Sequence, residues 1–364
     1  MNALVTGELN YQGGDRNTFY GGTGFPFQTE QARFTMSNGG LPQVTNAVPT
    51  DVLFTRDALL SVFPRNLVYF VTGRHAGLLP YFFPGLVSAF LLLRRPRQGA
   101  AFQWLTAGGI VLGSLVLMLY MPYTYSGGGG PVGNRYFMGF YALFLFLAPE
   151  IPATLTAVAT ALVGGLFTAQ LLVNPFYTSF HPAEHPKSGP FRLLPVELTL
   201  LNDLPVNVTP SRVKQPLGGE PPVSAYFLDD NAYGREGQWF WVRGASRAEL
   251  ILRAPIRSSG NDVVESLRIE RLKVELRSGD VSNTVIIRTD ADRSRVDLSP
   301  QQSTVAMLKM PRGVPYRPYP GLPTNYVYLV SISSETGFVP MFSSGTRDHR
   351  YLGVMVRVEP VYSN

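Results

Sequence analysis

The chain has no cysteine. That excludes a disulfide framework, thiolate catalysis and zinc sites built on thiolates. Charge is also scarce: 15% of residues are charged, against about 25% in ordinary soluble domains. No basic run of five or more occurs, and the arginines are spread along strand-like segments, so nucleic acid is not an expected partner. The opening residues MNALVTGELNYQGGDR have neither a basic n-region nor an apolar h-region and do not read as a signal peptide. They read instead as the start of a fragment or an internal methionine.

Apolar residues make up 45% of the 364, and they are concentrated. Residues 77–174 carry almost no charge, whereas the polar remainder reads as short strands. The expected fold is an α-helical transmembrane bundle of about four spans plus an interfacial helix, followed by an all-β antiparallel sandwich of jelly-roll type. Its parts are residues 1–76 (external loop and interfacial helix), 77–174 (transmembrane helices), 175–194 (linker) and 195–364 (extracytoplasmic sandwich). Val52–Thr72 carries Arg56, Asp57, Arg65 and Pro64, which suit an amphipathic helix in the interface better than a span.

Gly77–Leu93 is charge-free and just long enough to cross, and Arg94, Arg95 and Arg97 follow, which marks that end as cytoplasmic. Ala101–Met121 then runs outward, Arg135–Ala148 returns as a short span, and Ile151–Val173 runs outward again. Ala153, Ala157, Ala161 and Gly165, like Gly109 and Gly113, have the four-residue spacing that lets helices approach closely. These segments place the chain in a membrane, with both its N-terminus and its C-terminal domain outside.

In the second half, eight strands are legible, among them Ser224–Leu228, Glu249–Ala254, Tyr326–Ser333 and Tyr351–Val358. Leu352, Val354, Val356 and Val358 alternate as one buried face does. In LRIERLKVEL the apolar phase slips near Glu270 and Arg271, as an extra residue in a β-bulge would make it slip.

The segment SGGGGPVGNRYF lies between two apolar stretches. Its glycines allow close backbone approach to a ligand. Arg135, at the edge of a membrane helix, has two readings. Its planar fork suits a phosphate, and its long stem also suits snorkelling to headgroups. Gly130, Gly133 and Asn134 belong to the same loop. Elsewhere, Trp239 and Trp241 follow a turn that includes Tyr233 and suggest a sugar platform, although alternation with Phe240 and Val242 gives that strand a core face. Asp229, Asp230 and Asn231 offer oxygens for calcium. His181 and His185 lack the helix that would pair them on a metal, and His75 and His349 are lone. No metal site and no cofactor are expected.

The Gly-rich loop, the sequence GNRYF and the short apolar helix after it resemble the late transmembrane part of the GT-C superfamily. These are integral membrane glycosyltransferases that use polyprenyl-phosphate sugars. NALVTGELNYQGG similarly resembles a stretch that precedes the last helices of such proteins. The resemblance covers about residues 2–173. It implies sugar transfer from a polyprenyl-phosphate donor to an envelope glycan, lipid or protein acceptor on the outer side of a bacterial inner membrane, with Arg135, Asn134, Gly133 and Gly130 around the donor phosphate. The family's catalytic Asp, in a first external loop after a first span, has no counterpart. Glu150 lies at a cytoplasmic turn and Asp15 does not match that position. The chain therefore reads as the C-terminal portion of such an enzyme without its catalytic half. The alternative is a non-catalytic, membrane-anchored glycan- or protein-binding module.

Overall fold

The computed structural model describes residues 56–94, 96–127, 132–148, 153–187, 189–208, 215–259, 263–317, 324–343 and 345–363. Its first half is helical. α1 (Arg56–Ser61) and α2 (Phe63–Thr72) precede α3 (Leu78–Tyr81) and α4 (Phe83–Arg94). α5 (Ala101–Tyr120) and α6 (Thr154–Val173) flank a 3-10 helix at Met138–Leu147.

Among the described residues, α5 and α6 are the two helices long and apolar enough to cross a membrane. At 1.5 Å per residue each measures about 30 Å, the thickness of a hydrocarbon core. Both turn large apolar side chains outward, including Leu105, Leu112, Leu155 and Leu172. The expectation of four spans needs correcting. Gly77–Leu93 does not form one helix, because its backbone leaves the helical region at Phe82. Pro84 would set its ring against the carbonyl four residues back, at Pro80, so a helix cannot run through both. The remaining α4 is about 18 Å long. The 3-10 helix reaches about 20 Å.

The small-residue spacing also needs correcting. Ala153, just before α6, and Ala157 and Ala161 within it are exposed, and the side of α6 that is buried carries Gly164 and Phe167. A Cβ on Gly109 or Gly165 would meet nothing within 4 Å, whereas one on Gly113 would lie 2.7 Å from the Phe140 ring. Only Gly113 of this set closes on another element, the 3-10 helix.

The second half is two antiparallel sheets. Sheet A follows the order β1 (Gln215–Leu217), β2 (Val223–Phe227), β4 (Ser246–Arg253), β12 (Asn325–Ser334), β8 (Asn283–Arg288), β9 (Arg293–Leu298), with β11 (Val314–Tyr316) also on β12. Sheet B follows β10 (Ser303–Lys309), β7 (Ile269–Ser278), β13 (Leu352–Tyr362), β3 (Phe240–Arg243). A hairpin of β5 (Ile256–Ser259) and β6 (Val263–Ser266) stands apart. Leu250, Leu252, Val330 and Ile332 of sheet A share one core with Val274, Leu276, Val354 and Val356 of sheet B. Successive strands β3, β4, β7, β8 cross between the sheets, as do β9, β10, β12, β13, which is how a jelly roll is wound. The slip in LRIERLKVEL is a bulge: Val361 faces Arg271 and Tyr362 faces Ile269, which leaves Glu270 extra.

Sheet A is covered on both sides. In β4, five consecutive residues, Ala248–Leu252, are buried. The even-numbered ones face the sandwich core. Ile251, with Tyr226, Leu228 and Val327, joins a second cluster that includes Phe70, Met118, Phe137 and Phe144 of the helical half. Between the two lies a strap, residues 196–206, from which Val196, Leu198, Leu200, Leu201, Leu204 and Val206 enter that cluster. The strap joins the helices and the sheet into one packed body.

A substitution pair separates packed from open helix faces. Gly113→Leu must displace Phe140 and should destabilise the protein by about 1–3 kcal/mol, whereas Ala157→Leu should leave detergent melting unchanged. Equal melting of the two variants would mean that α5 does not close on the 3-10 helix.

Candidate functional site

Four buried acids, Glu197 and Asp203 of the strap and Asp229 and Glu249 of the sheet region, and the buried Asn66 fix the junction of the helices with the sheet. Glu197 of the strap is fully buried. Its Oε1 accepts from the backbone N–H groups of His75 (2.7 Å) and Ala76 (2.8 Å), and its Oε2 lies 2.8 Å from His75 Nδ1. This approach requires Gly73, where a Cβ would stand 2.2 Å from Oε1. Asn66 of α2 donates to the Pro122 carbonyl (2.7 Å) and accepts from Thr199 of the strap (2.6 Å).

Arg74 reaches the sheet, where Nη1 is 2.7 Å from Glu249 Oε2 on β4. Arg247 (3.0 Å) and Arg192 (3.8 Å) also face Glu249, and Arg192 is shared with Asp229 at 3.2 Å. Burial alone would raise the Glu249 carboxyl. Arg74 first, then Arg192 and Arg247, outweigh it and hold the group below its ordinary value.

The glycine-rich loop is held by the same strap. Asp203, also buried, accepts from Thr124 Oγ1 (2.8 Å) and Ser126 Oγ (2.6 Å) at the end of α5. Ser126 in turn accepts the backbone N–H of Arg135 (2.9 Å), and the Arg135 guanidinium donates to the Gly127 carbonyl. The loop is thus pinched at 126–127 and 135, and Gly130 lies outside the described residues. Arg135 is exposed, its guanidinium 5.6 Å from the centre of the Tyr136 ring, and it has no ion pair among the described residues.

Gly133 and Asn134 point the other way, into the body. Gly133 has φ +78° and donates to the His75 carbonyl at 2.9 Å. Asn134 is buried. Its Oδ1 caps the N–H of Phe137, and its Nδ2 has no partner among the described residues. Beneath them His185 is buried against Tyr81 and Phe191, with ring centres 6.0 and 4.8 Å away, and neither of its nitrogens has a partner among the described residues. Burial, reinforced by His75, pushes the His185 imidazole down to about 4.

The aromatic candidates stand elsewhere, at the edge of sheet B. Phe240 and Val242 enter the core, as their alternation requires, and Trp241 lies on the opposite, outer face beside Phe338 at 6.0 Å. Tyr233 donates its N–H to the Trp241 carbonyl (2.8 Å), and its ring lies 5.5 Å from the Arg350 guanidinium. Trp239 sits in a tight hairpin with Glu236. Tyr233 and Trp241 are therefore neighbours, while Arg135 belongs to the helical side of sheet A. Asp229 and Asp230 do not converge on an ion site. Asp229 accepts from Asn231 and Glu249 backbone N–H groups, and Asp230 pairs with Lys187. His181 is exposed and stacks near Tyr177. Glu150 and Asp15 lie outside the described residues.

Below the loop, an apolar cleft of about 290 Å³ follows α5 from Trp104 to Met118, walled by Leu67, Phe70, Leu92 and Phe144. With its end members 14 positions apart on the helix, it runs for about 21 Å.

No protein-family model matches this sequence, and no curated protein does. Among solved structures, the chain is similar to the secreted serine protease VesC from Vibrio cholerae, with a TM-score of 0.22 and 12% identity over 38% of this chain and 24% of that one. It is similar to an acetyl xylan esterase from Butyrivibrio proteoclasticus at TM-score 0.21 and 11% identity, over 43% and 32% of the two chains. A family 29 carbohydrate-binding module follows at TM-score 0.19 and 8% identity, over 42% and 90%. The chain spans between a quarter and a third of the length of the first two. At such scores the likeness carries no argument about function.

The pH dependence of stability follows from His185. Its folded value lies below the ordinary 6.5, so the unfolded chain binds the proton more readily. The corresponding stability is complete above pH 6.5 and is lost as the pH falls toward 4. The loss should approach about 3 kcal/mol. Melting followed from pH 7 to 4.5 should show this decline, and His185→Phe should flatten it. An unchanged slope in the variant would place the acid sensitivity in other groups.

Proposed function

We propose that this chain contributes the lipid-phosphate site of a GT-C-type membrane glycosyltransferase, which transfers sugar from a polyprenyl-phosphate donor. The observation that carries the reading is Arg135. It is an exposed guanidinium without an acidic partner among the described residues, fixed by Ser126 and Gly127 at the end of a membrane-length helix. A phosphate is the ligand its fork suits best, and the apolar cleft along α5 suits the prenyl chain.

The membrane arrangement belongs to the same proposal. Arg94, Arg95 and Arg97 lie on the cytoplasmic side of a bacterial inner membrane. α5 and α6 run outward from that side, and the chain returns between them through the 3-10 helix, which at about 20 Å does not cross alone. The loop at 122–134 and the sandwich then share the outer side, where an envelope glycan or protein acceptor is met. Reporter fusions at Gln98 should read cytoplasmic, and fusions at Gly128 or after Asn364 external. A cytoplasmic C-terminus would defeat the arrangement.

One observation favours the second reading, a non-catalytic anchored binding module. Glu197, Asp203, Asp229 and Glu249 are all committed to structural hydrogen bonds, which leaves none of them available as a general acid or base.

The two roles of Arg135 separate by substitution. Binding of a polyprenyl phosphate to the protein in nanodiscs should weaken partly in Arg135→Lys, which keeps charge and loses the fork. In Arg135→Ala it should weaken about tenfold or more, because a charge-assisted hydrogen bond is worth about 1.5–3 kcal/mol. Equal affinity in all three proteins would remove the phosphate role and leave headgroup snorkelling.

A further inference from the structure

The sandwich holds a second concavity, on the side of sheet B. β13 is eleven residues long, but β3 pairs only with Leu352–Val356. Beyond Val356 that edge is approached by the connection from β1 to β2. Gly218 has φ +46° there and comes so near that a Cβ would stand 1.9 Å from the Val358 carbonyl oxygen. Between this connection, the hairpin that carries Trp239, and the outward residues of β13 is a cleft of about 660 Å³. That lies within the range of small-molecule sites, about 300–1,000 Å³.

Its polar lining is Glu220, Arg235, Gln238, Arg357 and Glu359. Two guanidinium groups and two carboxylates cancel in formal charge, so the cleft has no net field to select an anion or a cation. It does offer donors and acceptors side by side. Several of these groups are held in place. Arg235 donates to the Pro216 carbonyl (2.6 Å) and to Gly237, which ties the hairpin to the β1 arm. Glu359 is fixed by Lys273 at 2.9 Å, and Arg357 lies 3.6 Å from Glu275. Arg357 Nε is buried and has no partner among the described residues, and a buried donor left so is costly unless something bonds to it.

We infer that this cleft binds a neutral oligosaccharide. Each sugar hydroxyl both donates and accepts, which matches a lining of fixed arginines, carboxylates and one amide. The Pro216 and Pro222 rings supply the apolar wall that the C–H face of a sugar requires. A phosphate or uronate would meet Glu220 and Glu359, and a cation would meet Arg235 and Arg357. The site is independent of the lipid-phosphate reading and stands equally if the protein is a binding module.

The test uses the full chain in nanodiscs and calorimetric titration with four neutral hexasaccharides (cello-, xylo-, manno- and arabinohexaose), with hexagalacturonate as the anionic comparison. At least one neutral hexasaccharide should bind saturably and more tightly than hexagalacturonate. Gln238→Ala and Glu220→Ala should each weaken it about tenfold with melting unchanged, and Arg135→Ala should leave it as in the parent protein. Failure of all four to bind, tighter binding of hexagalacturonate, or affinities unaltered in both cleft variants would overturn the assignment.

Discussion

A carboxylate with no access to water holds the helices to the sheet. Glu197 gathers two backbone N–H groups and a histidine from the turn after α2, and its strap is pressed on the outer face of sheet A. Truncating His75 would leave a buried oxygen of Glu197 without its partner, a penalty of about 1–3 kcal/mol. The turn from Gly73 to Ala76 exists in its present form because the carboxylate needs it, and Gly73 has no side chain because Oε1 occupies that space.

The position of Arg135 is inherited from this arrangement. The strap carries Asp203 six residues after Glu197, and Asp203 fixes Thr124 and Ser126. Ser126 then fixes the backbone of Arg135, while His75, bonded to Glu197, receives the N–H of Gly133. Both ends of the loop thus answer to two acids on one strap. A guanidinium aimed outward from an apolar helix end keeps its place without an acid of its own among the described residues, which would neutralise it.

Much of the fold was legible because the sequence pattern and the packing share a period. The eight expected strands correspond to β2, β3, β4, β7, β8, β10, β12 and β13, and the slip at Glu270 is the observed bulge. β9, RSRVDL, was not legible: it is a charged edge strand with little to bury. Gly77–Leu93 misled because composition and length outweighed two prolines. The alanine spacing of α6 misled because small residues at four-residue intervals are equally comfortable facing outward. Of the site, the loop residues Gly133, Asn134 and Arg135 could be named from glycine content alone. Their partners His75, Ser126 and Asp203 could not, because nothing local marks a residue whose role is set by a segment about 80 or 120 positions away. The run VELTLLNDLP carried one signal, two acids inside an otherwise apolar stretch.

The double burial of β4 constrains the order in which the molecule can be made. Ile251 lies on a face that has no cover until the strap arrives, Glu249 has only Arg247 of its own strand until Arg74 and Arg192 come in, and the strap's leucines and acids have no seat until α2 and α5 stand side by side. The outer face of sheet A is therefore completed only when the helices are in place. Until then, sheet A presents apolar and acidic groups together to solvent, a surface that other chains could join. The helices thus serve the sheet as its missing third layer, and proteolytic release between residues 181 and 194 would yield an aggregation-prone remnant rather than a soluble domain.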